Sequence, residues 1–473
     1  MLKTDQLTFV INGQPLFQGI NISLDSHSGK KVALVGKNGC GKSTLLKIFN
    51  RELKPTRGSL SLANESIGYL PQEINFFSRE LVGEYLEKKL AEQWLEYKID
   101  TALAGVGLPD EYLIKEMMNL SGGEKVKVFL AGLLLDDPTI LMLDEPTNNL
   151  DDEGVEWLEK FVRNFKGSAI IVSHDRYLIN RTVQKIWEID PDTLDISVFA
   201  GNYDVFLAEK KRLYEKRTIE YNSETREIQE IEMWLRANEF HPKYRFSRIV
   251  ASKKAKLGKL KAVQRNKPVA DPKISINSLD TFKRGLILKV EVKSKSWGQS
   301  EVLKDLCFDI HKNEKILIKG KNGSGKTTLL NIIAGEDKNF VGDITLGENT
   351  KIGYVRQFSN LNKTNSVLQE FEAKTGISEP KSRSILARYL FGADKIVSKV
   401  GSLSFGELKR LDLAIVLAGW PNLLILDEPT NHLDIYTREE LEAFIVEQQV
   451  AMIVVSHDRY FIEKIGLAEV VGV

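Results

Sequence analysis

The sequence predicts two copies of a mainly parallel α/β domain in one chain, joined by a long α-helical hairpin. Three observations lead there. First, a set of short motifs occurs twice in the same order. Lys42 matches Lys326, Gln72 matches Gln357, Ser121 matches Ser404, Asp144 matches Asp427 and His174 matches His457, at offsets of 284, 285, 283, 283 and 283. Five motifs held in register over about 130 residues mark an internal duplication. Second, each copy carries short, uninterrupted apolar runs, the pattern of strands buried on both faces. Third, a charged stretch between the copies shows helical periodicity with no proline until Pro242.

Each copy opens with strand-like alternation, Lys31–Val35 and Lys315–Lys319, then a glycine-rich loop and a helical run such as Thr44–Phe49. Later come the apolar strands Ile140–Leu143 and Leu423–Leu426, followed by Ala169–Val172 and Met452–Val455. The first copy continues through Ile186–Ile189, whereas the second stops at Val473. In the connector, Phe206, Leu213, Tyr221, Ile228, Ile231 and Leu235 form one apolar stripe. A helix of about 35 residues extends roughly 50 Å at 1.5 Å per residue. The break at His241-Pro242 makes a tip, and Ile249, Leu257, Leu260 and Val263 supply the apolar face of the return helix. The expected division is 1–203, 204–270 and 271–473.

Composition narrows the class. The chain has 473 residues, 42% hydrophobic and 28% charged, which suits a soluble globular protein with sizeable cores. No run approaches the ~18–20 apolar residues that cross a bilayer, and the first residues lack a signal-peptide core. Two distant cysteines, Cys40 and Cys307, exclude a disulfide framework, so the expected location is cytoplasmic. Cys307 falls in an apolar strand and is expected in the core. The net charge of +1 hides a basic block: residues 209–270 hold 17 Lys/Arg against eight Asp/Glu, and residues 240–268 hold ten basic residues and no acidic one. Such a block between net-acidic halves points to a polyanion. At the tip, Phe240, His241, Tyr244 and Phe246 alternate with Lys243, Arg245 and Arg248, and Lys253, Lys254 and Lys256 follow. Aromatics interleaved with cations suit stacking on bases with phosphate contacts alongside.

The glycine loops read Gly36-Lys37-Asn38-Gly39-Cys40-Gly41-Lys42-Ser43-Thr44 and Gly320-Lys321-Asn322-Gly323-Ser324-Gly325-Lys326-Thr327-Thr328. Glycines let backbone N–H groups wrap phosphates, and the helix that follows presents its N-terminus to negative charge. Lys42 and Lys326 are expected on the β- and γ-phosphates, and Ser43 and Thr327 on Mg²⁺. Cys40 lies beside a lysine and a helix start, which would lower its pKa, and it reads as a filler of the loop rather than a catalytic thiol. The apolar strands end in Asp144-Glu145 and Asp427-Glu428. The first carboxylate of each pair is expected to hold the metal and the second to orient or deprotonate the attacking water. Both copies also carry Leu-Ser-x-Gly-Glu (Ser121, Gly122, Gly123, Glu124; Ser404, Phe405, Gly406, Glu407) and Ser-His-Asp-Arg-Tyr (residues 173–177 and 456–460).

These residues resemble the ATP-binding cassette ATPases over nearly all of both halves. The Glu-Pro-Thr-Asn-(Asn/His)-Leu-Asp wording, the tandem cassettes and the charged connector resemble the ABC-F subfamily in particular. The resemblance implies two tandem P-loop NTPase domains that close head to tail on two ATP molecules, each held by one P-loop and the opposite signature. It places Gln72 and Gln357 at the Mg²⁺- and water-sensing glutamines, Glu145 and Glu428 at the hydrolytic glutamates, and His174 and His457 at the γ-phosphate switch. It implies a monomeric, ribosome-binding partner of rRNA and peptidyl-tRNA, whose hairpin enters the tRNA exit site, with no stable membrane partner. Translation control and protection from antibiotics near the peptidyl-transferase centre stay open as readings; a membrane-exporter ATPase leaves the basic hairpin unexplained, and a DNA-repair cassette usually carries its inserts within a cassette. Two departures separate the sites. Trp297 stands where the family stacks a ring on adenine, while the first half offers Ile11 with Phe9 nearby. Phe405 replaces a signature glycine, so the site on Lys42, paired with Ser404-Phe405, is expected to be the altered one. The 49- and 47-residue spacings from glutamine to signature leave no room for a large extra arm.

Overall fold

The computed structural model describes residues 1–473 except 12, 64, 75–78, 91–96, 149, 191–192, 239–247, 264–284, 299, 321–322, 358, 432 and 467–468. The first half begins with β1 (Leu2–Ile11), β2 (Gln14–Ile20), β3 (Ser23–Leu24), β4 (Lys31–Val35) and α1 (Lys42–Phe49). It continues through β5 (Arg57–Leu62), β6 (Ile67–Leu70), α2 (Val82–Glu87), α3 (Tyr97–Gly105) and α4 (Gly122–Leu134). It ends with β7 (Ile140–Asp144), α5 (Asp152–Asn164), β8 (Ser168–Val172), α6 (Arg176–Thr182), β9 (Lys185–Ile189) and β10 (Ile196–Ala200). The connector is α7 (Tyr203–Asn238) and α8 (Arg248–Val263). The second half runs β11 (Leu286–Trp297), β12 (Ser300–His311), β13 (Lys315–Lys319), α9 (Lys326–Ile333), β14 (Val341–Leu346) and β15 (Ile352–Val355). Then come α10 (Val367–Thr375), α11 (Glu379–Arg388), α12 (Ala393–Ile396), α13 (Phe405–Ala418), β16 (Leu423–Asp427), α14 (Ile435–Val446), β17 (Ala451–Val455), α15 (Arg459–Ile465) and β18 (Glu469–Gly472).

The continuous apolar runs form the central sheets. Their strand orders are β10-β9-β4-β8-β7-β6 and β15-β16-β17-β13-β18, parallel except for β10. Every residue of β4, β7, β8, β16 and β17 is buried, as expected for strands covered on both faces. The alternation expected over Lys31–Val35 is therefore not an in–out alternation. Even Lys31 is buried, because its ammonium donates to the carbonyls of Gly29, Phe165 and Gly167 at 2.6–2.8 Å.

Each half also carries an antiparallel sheet, β2-β1-β3 with β5 in one and β12-β11-β14 in the other. Here side chains alternate, with one face on the core. On β12, Phe308 and Ile310 face inwards, so Cys307 faces solvent. This corrects the expectation of a core cysteine: a period-two strand cannot bury adjacent positions on one face.

The connector residues Tyr203–Asp271 form a compact unit of their own, and both cassettes together form the other. Within the connector, Lys256 pairs with Glu227 at 2.5 Å and Lys253 lies 4.9 Å over the Trp234 ring. Partners fall along α8 as they rise along α7, so the helices are antiparallel. Of the predicted stripe, Phe206, Ile228, Ile231 and Leu235 are buried, and Leu213 and Tyr221 half-buried. Among the described side chains of α8 the buried one is Val250, packed with Ile231 and Leu235, whereas Ile249 is exposed; the side chains of Leu260 and Val263 lie outside the described ones. Leu257, one heptad beyond Val250, completes that face, which corrects the assignment of Ile249.

Candidate active site

In both halves three motifs leave adjacent parallel strands at their carboxyl ends. The glycine loop follows β4, the Ser-His-Asp motif follows β8 and the paired carboxylates end β7; in the second half the strands are β13, β17 and β16. Gln72 follows β6 and Gln357 follows β15, one strand further out. Ligand sites collect at such carboxyl edges because the loops there converge while the strands stay fixed.

The glycine loops need their glycines. Gly41 (φ 98°) and Gly325 (φ 104°) turn the chain into α1 and α9, and a Cβ there would lie 3.2 Å from the Phe17 ring or 2.6 Å from Val302. Gly36, Gly39 and Gly323 are also left-handed or nearly so. Lys42 Nζ donates to the carbonyls of Gly36 (2.9 Å) and Lys37 (3.1 Å), and Lys326 Nζ to that of Gly320 (2.8 Å), so each ammonium lies curled within its own loop. Ser43, Thr44, Thr327 and Thr328 occupy the first helical turns behind them. Burial raises the Cys40 thiol pKa, outweighing the nearby Lys42, so the lowered value expected from the sequence is corrected. Asn322 lies outside the described residues.

Glu145 and Glu428 carry a signal the sequence did not show. Both have positive φ, 50° and 46°, a strained conformation for a side-chain-bearing residue. Their amides donate to Val172 and Val455 across the sheet at 2.8 and 2.9 Å, which holds the turn and aims each carboxylate at its histidine loop. His174 N donates to Glu145 Oε2 (3.2 Å), and His174 Nε2 lies 3.3 Å from Glu145 Oε1. Burial pushes both glutamates up to about 7, against the pull of Lys42 on Glu145 and of the His457 amide on Glu428. Burial, then Lys42 and Arg438, depresses His174 well below its ordinary value. The His174–Glu145 contact is thus one of a neutral imidazole, not an ion pair. At the second site His457 Nε2 lies 3.6 Å from Glu428 Oε1, and its ring is 42% exposed against 15% for His174.

The residues fit a divalent cation. Asp144 Oδ1, Glu145 Oε1 and Glu428 Oε2 are buried without a hydrogen-bond partner, and burial raises Asp144 and Asp427 despite the Ser43 and Thr327 hydroxyls beside them. Thr327 Oγ1 donates to Asp427 Oδ2 at 3.1 Å. A cation would be held by Ser43 and Asp144 in one half and by Thr327 and Asp427 in the other, offsetting that buried negative charge.

A cavity of about 680 Å³ opens over the second glycine loop. Its walls include Trp297, Lys326, Thr327, Gln357, Glu428 and His457. Trp297 is 61% exposed, with Lys295 Nζ 4.5 Å over its ring; Lys295 in turn pairs with Asp337 at 2.7 Å. The equivalent strand-end residue in the first half is Ile11, and Phe9 instead stacks on Phe17. Gln72 is exposed.

Across the cavity from Lys326 stand Thr147, Asn148, Leu150, Asp151, His174 and Tyr177 of the first half, and not Ser121–Glu124. The expected pairing of the second glycine loop with the first half's signature is not made around this cavity. The halves meet instead through the loops after the carboxylates and the histidine motifs. Asn38 N donates to Asp434 Oδ2 (3.2 Å), Arg438 Nη1 donates to the His174 carbonyl (2.9 Å), and Arg176 is paired with Glu442. In each signature Ser121/Glu124 and Ser404/Glu407 form a capping box at the start of α4 or α13. The sequence spacing Ser-x-x-Glu is the signal of that box. The Ser121 and Tyr112 hydroxyls hold the Glu124 carboxyl at about 2. Gly122 is exposed and Gly123 half-buried. Phe405 is half-buried on its own helical subdomain, 5.9 Å from Lys409 Nζ. Gly406 is buried, and a Cβ there would meet Thr437 at 2.6 Å.

The family model described as ABC transporter matches residues 20–148 and 303–431. The ribosome protection protein VmlR of Bacillus subtilis is 32% identical, covering 97% of this chain and 84% of its own. The energy-dependent translational throttle protein EttA of Escherichia coli is also 32% identical, covering 94% and 87%. This chain belongs to the ABC-F family of ATP-binding cassette proteins. Among solved structures, the archaeal ribosome recycling factor aABCE1, in complex with the ribosomal stalk protein aP1, matches at a TM-score of 0.64 and 20% identity, over 98% of this chain and 86% of that one, and shares the tandem-cassette fold. The ABC-F cassettes bind and hydrolyse ATP. Among the described residues no helix is long and apolar enough to cross a membrane.

The ABC-F connector carries the remaining sequence-predicted contacts. Arg248 and Lys254 are exposed on α8, and Lys253 is half-buried over Trp234. Phe240, His241, Lys243, Tyr244 and Arg245 lie outside the described residues.

Proposed function

We propose that this ABC-F protein is an ATP-driven switch on the ribosome, working in the cytoplasm. The observation that carries the reading is the connector: two antiparallel helices between the cassettes, the second with exposed Arg248 and Lys254 and no acidic residue over 240–268. Phosphate neutralisation of that kind gives affinity for rRNA or tRNA. The similarity to a translational throttle and a ribosome protection protein supports the same reading.

In this proposal ATP draws Lys42 and Lys326 out of their loops onto the phosphates, and each signature closes on the opposite glycine loop. Trp297 stacks on adenine at the second site. Mg²⁺, held by Ser43, Asp144 and Gln72 or by Thr327, Asp427 and Gln357, neutralises phosphate charge when bound. Glu145 and Glu428, with carboxyls near neutrality, take the proton of the attacking water, while His174 and His457 contact the γ-phosphate. The closed form binds at the tRNA exit site with the connector towards peptidyl-tRNA, and hydrolysis releases it. Ribosome affinity must then be greater for the closed state, by linkage.

Co-sedimentation of the Glu145→Gln/Glu428→Gln variant with ribosomes tests this, with and without ATP at two salt concentrations. ATP-dependent binding that weakens steeply with salt is the expected result. No binding at either salt would overturn the proposal. Protection from antibiotics acting near the peptidyl-transferase centre is the second reading, favoured by the match to VmlR; expression in a drug-sensitive host separates it from translation control.

A further inference from the structure

The two histidine loops are joined by a polar relay that runs through α14. Arg438 Nη1 donates both to the His174 carbonyl (2.9 Å) and to Asp458 Oδ2 (3.2 Å), while its Nε donates to the Leu433 carbonyl (3.1 Å). Asp458 Oδ2 also accepts from Arg176 Nη2 at 3.2 Å. Arg176 Nη1 reaches Glu442 at 3.0 Å, one turn beyond Arg438 on the same helix, and the Arg176 guanidinium packs 4.6 Å over the Tyr460 ring. Arg176 and Glu442 are 1% and 0% exposed. Asp458 is the residue after His457, and Arg176 is two residues after His174. The first site's switch loop and the second site's therefore share one carboxylate oxygen.

The arrangement is one-sided. The duplication maps Arg438 onto Val155 at the same 283-residue offset, and Val155, which lines the cavity over Lys326, offers no donor to a carbonyl or carboxylate. Arg459, the counterpart of Arg176, is half-buried at the cavity wall with Nη2 3.3 Å from Glu156. A buried ion pair contributes little net stability compared with a packed apolar pair, but removing one partner is costly, so the two loops are fixed in register more than they are stabilised.

We infer that Arg438, with Asp458, Arg176 and Glu442, couples the two nucleotide sites, so that ATP at the second site tightens ATP binding at the first. ATP contacting His457 fixes the following Asp458, Asp458 fixes both guanidiniums, and these order residues 174–176 before the first site is filled. The second ligand then meets a loop whose ordering entropy is already lost, which is positive cooperativity. By reciprocity the first site tightens the second by the same factor. Arg438 is a positioning residue here: it also lines the cavity over Lys326, but the hydrogen bonds it donates go to the His174 and Leu433 carbonyls and to Asp458.

The inference rests on the nucleotide reading of the sites and not on the ribosome, so its test uses the full chain alone. In the Glu145→Gln/Glu428→Gln background, which cannot turn over, fluorescent ATP is titrated with and without Lys326→Ala to measure first-site affinity. A filled second site should tighten the first by about fivefold or more, within the usual range of site-to-site coupling. Adding Arg438→Val should bring that factor to within about twofold of unity while ATP still binds both sites, and Asp458→Asn, which removes the charge and one of the two acceptor oxygens but leaves an oxygen to cap α15, should do the same. Thermal melting monitors folding; should Arg438→Val unfold the protein, Asp458→Asn decides. Cooperativity that survives either folded variant, or is absent from the parent, overturns the relay. Absence of any ATP binding would overturn the nucleotide reading with it.

Discussion

At the first nucleotide site the base side ends in Ile11 and at the second in Trp297; Arg438 holds the His174 carbonyl and, together with Val155, also lines the cavity over the second glycine loop. Between these ends the two sites repeat the same glycine loop, carboxylate pair and histidine on the same three strands. The residues proposed for hydrolysis are thus duplicated, while those proposed to hold the base and to couple the cassettes are not. His174 is 15% exposed, with an arginine from the second half on its carbonyl, whereas His457 stays 42% exposed. A duplicated fold can diverge at its rims without touching the strained turns at Glu145 and Glu428, because those turns are set by neighbouring strands and the rims by the facing cassette.

The largest effect should come from the shared part. Glu145→Gln and Glu428→Gln should each slow single-turnover hydrolysis at their own site by about 10²- to 10⁴-fold, the usual contribution of a positioned base. Equal losses would confirm duplicated chemistry, and a loss at one site alone would break it. Next, Trp297→Ala should weaken ATP at the second site by about tenfold, and Ile11→Trp should tighten the first, given ~1–3 kcal/mol per stacked base. Titration of each site with its partner lysine replaced reads this directly.

Acidity gives a third test. With Glu145 and Glu428 near 7, the active carboxylate form fills in as pH rises, so kcat/KM should climb through about pH 7 and level off above it. The linked stability has the opposite sign. A carboxyl raised in the folded state contributes stability fully present below about 4.5 and lost as pH rises through about 7, so each Gln variant should flatten this part of the melting-temperature profile.

Smaller effects probe the rims and the turns. Phe405→Gly should raise steady-state ATP turnover about twofold, if closure brings that ring beside the first site; an unchanged or reduced rate would sink the idea that Phe405 slows it. Glu428→Gly should melt above Glu428→Ala by an amount equivalent to about 1 kcal/mol, since both lack the carboxylate and only glycine relieves the φ of 46°.

Much of this was legible in the chain. Repeated motifs at a 283–285 offset, apolar runs without alternation and a proline-free amphipathic stretch announced two α/β cassettes and a helical connector. What misled were local readings that ignored a neighbour. Cys307 looks apolar in context but sits on the solvent side of β12, and Ile249 precedes the residue that faces the core. Cys40 sits beside a lysine, yet burial outweighs that charge. The strain at Glu145 and Glu428 has no signature in residue type, because glycine is the usual mark of positive φ.

The sequence by itself determined where the proposed phosphate, metal and water groups stand, since P-loop, carboxylate pair and histidine must follow particular strands of a parallel sheet whatever lies around them. Only the tertiary structure decided what faces those groups. Arg438 is one charge among many along α14 until the second cassette lays it against His174, and Val155, its partner in the duplication, makes clear that position in the repeat did not dictate that contact. The reason is physical: local chain geometry sets the spacing within a motif, but a contact between residues 264 positions apart depends on how two folded bodies meet.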